Sequence, residues 1–404
     1  MNMYTEIPLV LANNDSVLGF PVLFTLPLIW YSCKLKFYKS DIKLLIIIYI
    51  TTLVSVIVSV NFAQLPNYII KIGQFYLALI TGITTYRVTE KISLSFKRKS
   101  LLVVVLFMAI GIVFESVNLF YVADISNFLR KILYEGGVYG IYDAEARDID
   151  IVGFERPKFF ASEPSLVAFG YFIFSTCYLL VNDKYWHFWF VLLLDILVIN
   201  FTGSPTALLT LVAWIWIFSR KVQSRWPLIA VVSALLLACV SFVVSPEFVT
   251  GKLVTRFLVE TINPYTSLYS RLYVPYFEAL PAAIRYNPLL GVGFAGKDLL
   301  ISIGKLSFDS EDMQFILGTN AFARLFTFFG LGGMSILIYC FYRYLIENQI
   351  FSLGTILLMW FLFSQMIGAM ETPRYWMYFF LVIELSKHFR DSEKIKAPHF
   401  RISV

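Results

Sequence analysis

Of the arginines that stand outside or at the edges of the long apolar runs, five are candidates to bind an anionic substrate. They are Arg156, Arg271, Arg285, Arg324 and Arg374. A guanidinium group is planar and holds two oxygens of a phosphate or carboxylate at once, which an ammonium group cannot do. The set therefore suits a diphosphate group. For any single arginine, binding to lipid headgroups or to nearby carboxylates is an equally good interpretation.

Carboxylates are the second group of side chains with catalytic potential. Asp148 and Asp150 form a D-x-D tripeptide, but this tripeptide is common and a hard cation needs several converging oxygens. We therefore expect no metal site. Glu163 precedes Pro164 and Ser165. It either positions or deprotonates a substrate hydroxyl, or it simply precedes a helix, where proline and serine are ordinary.

Two further carboxylates, Glu115 and Asp195, fall inside apolar runs, where an ionisable group is either functional or paired within the protein. The histidines are His187, His388 and His399, and the topology predicted below places all three on the cytoplasmic side. A general base on the opposite side would be Glu, Asp or Tyr, or no strong base would be used. Nucleotide-binding and zinc-protease motifs are absent from the sequence.

The composition indicates which elements must position these residues. Of the 404 residues, 58% are hydrophobic and 15% are charged, whereas soluble proteins average about 45–50% and about 25%. A chain this apolar has lipid as its solvent, so we predict an all-α polytopic membrane protein. The four cysteines lie in or beside apolar runs without CxxC spacing, and we expect buried thiols: Cys33, Cys177, Cys239 and Cys340.

Apolar runs near the length that crosses a bilayer as a helix, about 20 residues, occur throughout the chain. We predict about eleven transmembrane helices, at residues 17–33, 43–62, 68–86, 101–121, 165–181, 185–201, 205–219, 227–245, 321–341, 350–369 and 374–388. The last of these is short and ends with Glu384 and Lys387. The whole chain, 1–404, forms one integral membrane domain.

Lysines and arginines in the short connections set the orientation, because basic residues collect on the cytoplasmic side. The connections after the first, third and seventh spans are basic, and so is the C-terminal tail. The N-terminus is then periplasmic and the C-terminus cytoplasmic, which requires an odd number of spans. The net charge of +6 is thus a topology signal, and we expect no nucleic-acid partner.

Two extracytoplasmic loops are long, at residues 122–164 and 246–320. Connections above about 12–15 residues are usually functional or disordered, so we expect the chemistry on this face. The second loop contains an amphipathic stretch from Arg271 to Leu280, which suits the membrane surface, and a turn at 287–293. Its tyrosines either stack on sugar rings or form an interfacial belt: Tyr265, Tyr269, Tyr273 and Tyr276.

Four blocks of sequence resemble those of one enzyme family. Residues 156–165, R-P-K-F-F-A-S-E-P-S, resemble the segment that opens a helix in polysaccharide polymerases, and 202–209, T-G-S-P-T-A-L-L, resemble the stretch after it. In the second block, Pro205 stands where arginine is common. Ser270-Arg271 with N-P-L-L-G-V-G at 287–293 resembles an S-R…P-L-L-G-x-G block. Residues 319–333 begin T-N and end G-L-G-G, and they resemble an H-N…G-L-x-G block without its histidine.

Together, in this order, the blocks resemble the superfamily of Wzy-type O-antigen polymerases and O-antigen ligases. The resemblance implies a GT-C-like, metal-independent glycosyltransferase in the bacterial inner membrane, with no cofactor. Undecaprenyl-diphosphate-linked oligosaccharides would be donor and acceptor, and a chain-length regulator and a flippase would be partners. Membrane lipid surrounds the enzyme.

Under this hypothesis, Arg271 and Arg156 hold the diphosphate, and Glu163 positions or deprotonates the acceptor. The remaining candidates bind substrate: Ser165, Ser270, Arg285, Asn320, Arg324 and Arg374. Two alternatives stay open. One is a ligase of the same superfamily, although ligases usually carry the loop histidine that this sequence lacks. The other is a flippase or transporter, which the long loops and the scarcity of charges within the spans disfavour.

Overall fold

A computed structural model of the chain describes residues 8–10, 17–19, 37–59, 65–134, 156–161, 164–204, 212–217, 269–294, 296–303, 320–348, 350, 353–365, 370 and 373–388. These residues are mostly helical, as the sequence predicts. Four of the described helices are long and apolar enough to cross a membrane. The chain is a helical membrane protein.

The α-helices follow one another in the described residues as α1 (Lys39–Ser59), α2 (Leu65–Glu90), α3 (Leu94–Ser116), α4 (Val122–Tyr134), α5 (Pro164–Val181), α6 (Tyr185–Thr202), α7 (Leu280–Tyr286), α8 (Lys297–Ile303), α9 (Ala321–Glu347), α10 (Leu353–Ser364) and α11 (Pro373–Ser386). A 3-10 turn, Leu119–Tyr121, precedes α4, and a π-helical segment, Tyr269–Ala279, precedes α7. The four candidate membrane spans lie in α1, α2, α3 and α9.

Local sequence explains several helix boundaries. The side chains of Ser93 and Asn320 accept backbone N–H groups at the starts of α3 and α9, which otherwise lack helical partners. Pro164 and Pro373 stand at the first positions of α5 and α11, where the missing N–H costs nothing. Gly203 ends α6 in the left-handed conformation.

The observed helices agree with most of the predicted spans that can be compared. Helices α1, α2, α3, α5, α6, α9 and α11 each lie on a predicted span, and α10 lies on 350–369 but ends at Ser364. Within 205–219 the structure describes a helical stretch at 212–217. The span 227–245 and most of 17–33 lie outside the described residues. The total of eleven spans stays a prediction.

One part of the chain differs from its predicted form. Residues 17–19, the predicted start of the first span, form strand β2 (Val17–Gly19), antiparallel to β1 (Pro8–Val10). The sequence between the strands contains two Asn, an Asp and a Ser, which favour a turn between strands over a continuous helix. In the stretch after Arg271, Val274 and Ala279 are buried in the protein, whereas Phe277 is exposed, and the placement of this stretch along the membrane surface stays a prediction.

Helix α11 forms the centre of the bundle. All of its residues are buried, and it packs most extensively on α2, with further contacts to α5 and α10. Gly82 in α2 allows this close approach, because a Cβ there would lie 2.7 Å from side-chain atoms of Trp376 and Phe380. Around this pair, α9 packs on α1, and α3 packs on α5 and α6.

The helices alternate in direction, so polar side chains collect at two opposite ends. At one end, Asp41 near the start of α1 binds Arg87 near the end of α2, and Lys97 in α3 binds Glu384 in α11. We call this the charged end. The opposite end, the loop end, holds the end of α3, the starts of α9 and α11, and the segments 156–161 and 269–294. Helices of 18 to 27 residues span roughly 27–40 Å, which separates the two ends.

Candidate functional site

At the loop end, helix α9 is broken at Gly330, whose φ of 61° and ψ of −174° lie outside the helical region. A break inside an apolar helix leaves N–H and C=O groups without helical partners, and lipid supplies none. The turn at 287–293 replaces those partners. Residues 331–333 donate their N–H groups to the carbonyls of residues 288–289 at 2.8–3.1 Å, and residues 292–293 donate to those of residues 327–328 at 3.0–3.1 Å.

This contact requires glycine on both sides. A Cβ on Gly330 would lie 2.5 Å from the Gly291 nitrogen, and a Cβ on Gly291 would lie 2.2 Å from the Thr327 oxygen. Both glycines have positive φ, a conformation in which residues with a Cβ are strained. The sequence blocks P-L-L-G-x-G and G-L-x-G are therefore two halves of one structural unit.

At the start of α9, three polar side chains from three segments converge. Gln365, which follows α10, accepts hydrogen bonds through Oε1 from the Tyr276 hydroxyl and from Nδ2 of Asn320, each at 2.7 Å. The Oδ1 atom of Asn320 accepts the N–H of Ala323 and caps α9. This network joins the π-helical segment to the start of α9 and to the end of α10.

Two of the predicted substrate-binding arginines belong to the same end. Arg324 lies one turn into α9, half-buried, with its guanidinium carbon 5.1 Å from the centre of the Phe328 ring. Arg374 is the second residue of α11 and is buried. It follows Gln365 by one short connection. Asn320, Arg324 and Arg374 therefore gather at the loop end.

The segment 156–161, which contains Arg156, is held against the end of α3. The carboxylate of Glu115 accepts the backbone N–H groups of Lys158, at 3.2 Å, and of Phe159, and Ser126 accepts that of Phe160. The Phe159 ring lies over Gly111, one turn earlier in α3, where a Cβ would clash with it. Arg156 is buried within this segment. Glu115 thus has a structural contact that fixes the first sequence block.

The other predicted site residues are placed less completely. The structure describes the backbone of Ser270 and Arg271 in the π-helical segment and that of Ser165 in the first turn of α5. It does not describe their side chains. Glu163 lies outside the described residues altogether. Arg285 is exposed and donates from Nε to the carbonyl of Pro281 in its own helix, at 3.3 Å. The structure therefore does not bring Arg285 to the network around Gln365.

Of the four tyrosines predicted to stack on sugars or to form a belt, two stack on neighbouring rings of their own segment. Tyr269 and Tyr273 have ring centres 4.6 Å apart, and Tyr273 and Phe277 are 5.0 Å apart. The Phe277 ring is exposed. Tyr276 points to the amide network instead, and Tyr265 lies outside the described residues.

The remaining ionisable groups noted in the sequence lie away from the loop end or inside the bundle. Nδ1 of His187 is 2.6 Å from the Tyr178 hydroxyl, and His388 lies 3.5 Å from Nζ of Lys97, so both are at the charged end. Asp195 is buried in α6, and in the described structure its Oδ2 atom has no hydrogen-bond partner. The thiols of Cys177 and Cys340 are buried and free, as predicted. Asp148, Asp150, His399 and the other two cysteines lie outside the described residues.

An open cavity of about 490 Å³ lies at the charged end. It is lined by side chains that are already bound to one another, among them Arg87, Glu90 and Lys387. Because these contacts hold helix ends together, we regard the cavity as part of the framework. Among the described residues, no three or more His, Cys, Asp or Glu side chains group to hold a metal ion.

Two functional candidates were missed by sequence analysis: Gln365, and the hydroxyl of Tyr276 as a hydrogen-bonding group. A signal for Gln365 existed, because it is a lone amide near the extracytoplasmic end of the predicted span 350–369. Its partners Tyr276 and Asn320 lie 89 and 45 residues away, and no local pattern reveals them. A scan against protein-family models finds no match to this chain, and a search of curated proteins finds none either.

Proposed function

We propose that this chain is a membrane glycosyltransferase of the polysaccharide-polymerase type. It transfers a growing glycan from undecaprenyl diphosphate to a new lipid-linked repeat unit at the outer face of the bacterial inner membrane. In this proposal the loop end is periplasmic and the charged end cytoplasmic, with eleven spans. The enzyme needs no divalent metal, and it works beside a flippase and a chain-length regulator.

One observation supports the proposal most strongly. The two blocks that resemble the polymerase family, at 287–293 and 319–333, interlock through five backbone hydrogen bonds. The first of them continues the segment that carries Arg271, and the second contains Asn320 and Arg324. Residues that are far apart in the sequence are thereby held at one end of the bundle, where a shared site requires them.

The chemistry follows from the leaving group. The acceptor oxygen forms a bond to the anomeric carbon while the bond from that carbon to the diphosphate oxygen breaks. The electron pair leaves with the lipid diphosphate, which takes up the hydroxyl proton in the net reaction. Negative charge therefore grows on the diphosphate, and positively charged donors fixed beside it lower the barrier. Arg271 and Arg156 are assigned this role, with Arg324 and Arg374 at the same end.

The remaining contribution is positioning. Holding the acceptor hydroxyl in line with the leaving group makes the reaction effectively unimolecular. Glu163 keeps its assignment to the acceptor, either as the residue that positions the hydroxyl or as its base. The missing histidine before Asn320 favours the polymerase over the ligase of the same superfamily.

The test is polymer formation by the purified chain in detergent, with lipid-linked repeat units as substrate and excess EDTA in the buffer. Arg271→Ala should lower the rate by about 10²-fold, the scale for loss of one charge-stabilising donor. Arg271→Lys should recover only part of this loss, because an ammonium group cannot bind two diphosphate oxygens in the same plane. Arg343→Ala is the matched control, since Arg343 is an exposed arginine at the charged end.

Three outcomes would contradict the proposal in different ways. Near-normal polymer with Arg271→Lys would remove Arg271 from the site and leave it as a lipid-headgroup anchor. Activity that needs Mg²⁺ or Mn²⁺ would remove the metal-independent mechanism. Failure of the wild-type chain to lengthen the glycan would remove the polymerase itself.

A further inference from the structure

The hydroxyl of Tyr276 is the outward member of the network around Gln365. Tyr276 is half-buried, whereas Gln365 and Asn320 are 5% and 1% exposed. Tyr276 is therefore the member of the network nearest the exterior, and the two amides lie behind it. The amides hold the phenol in place, and they belong to helices that are themselves fixed in the bundle.

The hydrogen bonds already formed within this network determine what kind of ligand group can still bind to it. Oε1 of Gln365 already receives two donors, and its Nε2 donates to the carbonyl of Phe361 at 3.1 Å. The Tyr276 proton is directed to Gln365, and Asn320 also hydrogen-bonds the phenol, so the phenol oxygen has only lone-pair capacity left to offer. A partner for that oxygen must supply the hydrogen, as a hydroxyl group does.

The position of the network relative to Arg324 indicates which hydroxyl group of the substrates the phenol binds. Arg324 follows the N-cap Asn320 by four residues, a rise of about 6 Å along α9. An in-line transfer places the leaving and the attacking oxygen on opposite faces of one carbon, so their binding sites must be neighbours. With Arg324 assigned to the diphosphate, the network that begins at Asn320 and ends at the Tyr276 phenol is assigned to the attacking side.

We propose that Tyr276 binds the attacking hydroxyl of the acceptor saccharide, and that Gln365 and Asn320 are positioning residues that orient Tyr276. This rests on the proposed glycosyltransferase function and names the acceptor site within it. Tyr276 touches the substrate as a hydrogen-bond acceptor and does not remove the proton. Burial raises the pKa of Tyr276 above its usual value, and its hydrogen bonds to Gln365 and Asn320 offset part of that rise. The phenol therefore stays neutral at working pH.

The experiment compares Tyr276→Phe with Tyr273→Phe. Both variants lose one hydroxyl from the same segment, but Tyr273 presents its ring to Tyr269 and Phe277. Tyr276→Phe leaves Gln365 with its second donor, Asn320, so the framework keeps a hydrogen bond. Polymer-bearing lipid serves as the donor and single lipid-linked repeat units as the acceptor, and each concentration is varied while the other is fixed.

Tyr276→Phe should raise the KM for the acceptor by about three- to tenfold, the range for loss of one neutral hydrogen bond. The KM for the donor and the melting temperature should match those of Tyr273→Phe. The alkaline side of the pH–rate profile should not change, because a hydroxyl that only accepts a hydrogen bond does not titrate in the reaction.

Several results would overturn the assignment. If the two variants have equal acceptor KM, Tyr276 does not bind the acceptor. A kcat at least 100-fold lower with an altered pH profile would make Tyr276 a base, and a lower melting temperature with both KM values raised would make it structural. In each case the wild-type chain still makes polymer, so the proposed function survives. An inactive wild-type chain would remove both.

Discussion

The two ends of the helical bundle bury polar groups in opposite ways. At the charged end, opposite charges are paired: the Arg87 guanidinium donates to both oxygens of Asp41 at 2.9 and 2.7 Å, and Lys97 binds Glu384 at 2.6 Å. At the loop end, the framework consists mainly of neutral groups, which are backbone amides, two side-chain amides and a phenol. One carboxylate, Glu115, accepts backbone N–H groups there.

This difference separates two tasks. A buried ion pair fixes which helices meet, because a charge that loses its partner is costly, but its charges are then neutralised and unavailable to a substrate. A framework made mainly of neutral hydrogen bonds fixes positions with few carboxylates, which would repel a diphosphate. We therefore expect changes at the charged end to lower stability, and changes at the loop end to lower activity more than stability.

The largest effect on stability is expected from Asp41→Ala at the charged end. Asp41 also accepts hydrogen bonds from the Tyr344 hydroxyl and from the Tyr38 N–H. Removal of the Asp41 carboxylate leaves the buried Arg87 without this partner. Breaking such a pair costs about 3–5 kcal/mol, measurable by thermal unfolding in detergent. Activity per folded molecule should not change. The control is Lys43→Ala, because Lys43 forms an exposed pair with Glu347 and such pairs contribute at most about 1 kcal/mol.

If Asp41→Ala unfolds at the same temperature as Lys43→Ala, the charged end is not the structural anchor. If the folded fraction of Asp41→Ala also loses activity, the two tasks are not divided between the two ends.

The next largest effect is expected from Gly330→Ala at the loop end. The new Cβ would lie 2.5 Å from the Gly291 nitrogen and 2.6 Å from the Leu289 carbonyl carbon, and both are backbone atoms that cannot rotate away. Strain of this kind costs of order 1–3 kcal/mol. Displacement of the turn by about 1 Å should lower polymer formation by roughly 10²-fold. Gly73→Ala is the control, because a Cβ on Gly73 meets nothing within 4 Å.

Gly73→Ala should raise the free energy of unfolding by about 0.5–1 kcal/mol, since alanine favours a helix interior. Normal polymer formation by Gly330→Ala at matched protein level would show that the interlocked blocks do not position the site.

The smallest effect on stability is expected from Glu115→Gln. The neutral amide keeps an acceptor for only one of the two N–H groups that the carboxylate receives, and hydrogen bonds to neutral groups are weaker by about 1 kcal/mol. Polymer formation should fall roughly tenfold, because the segment that holds Arg156 loosens and its alignment is lost. Both quantities are measured against Ser116→Ala, whose hydroxyl binds only its own helix, at the carbonyl of Ile112. An activity equal to that of Ser116→Ala would separate Glu115 from the site.

Apolar length was enough to predict most of the described helices, because bilayer thickness and backbone hydrogen bonding leave few alternatives. The boundaries were less predictable. Helix α3 begins at Leu94, seven residues before the predicted span, and its first turn holds Lys97, which buries its charge against Glu384. Glu384 belongs to the short final span, all of whose residues in α11 are buried. The partners are 287 residues apart, so no local count of charges reveals them.

The candidate site was predictable in its residue types and less so in its contacts. Arginine type and loop position indicated Arg156, Arg324 and Arg374, and the structure places all three at the loop end. The role of Glu115 was not predictable, because its partners are backbone N–H groups of a segment more than 40 residues away. The break in α9 was not predictable either. A glycine within an apolar run is compatible with a continuous helix, and only the packing of the turn at 287–293 against Gly330 shows otherwise.

The break at Gly330 also has a consequence for the order in which the protein is made. It lies about ten residues, or about 15 Å, inside α9, a depth at which unpaired backbone groups cost several kcal/mol each. The turn that completes it, 287–293, precedes α9 in the chain and is therefore synthesised first. When the ribosome releases α9, the segment that fills its gap has already been made. Moving the same turn to a position after α9 would keep every contact available to the finished protein, yet it would force the helix to enter the bilayer incomplete.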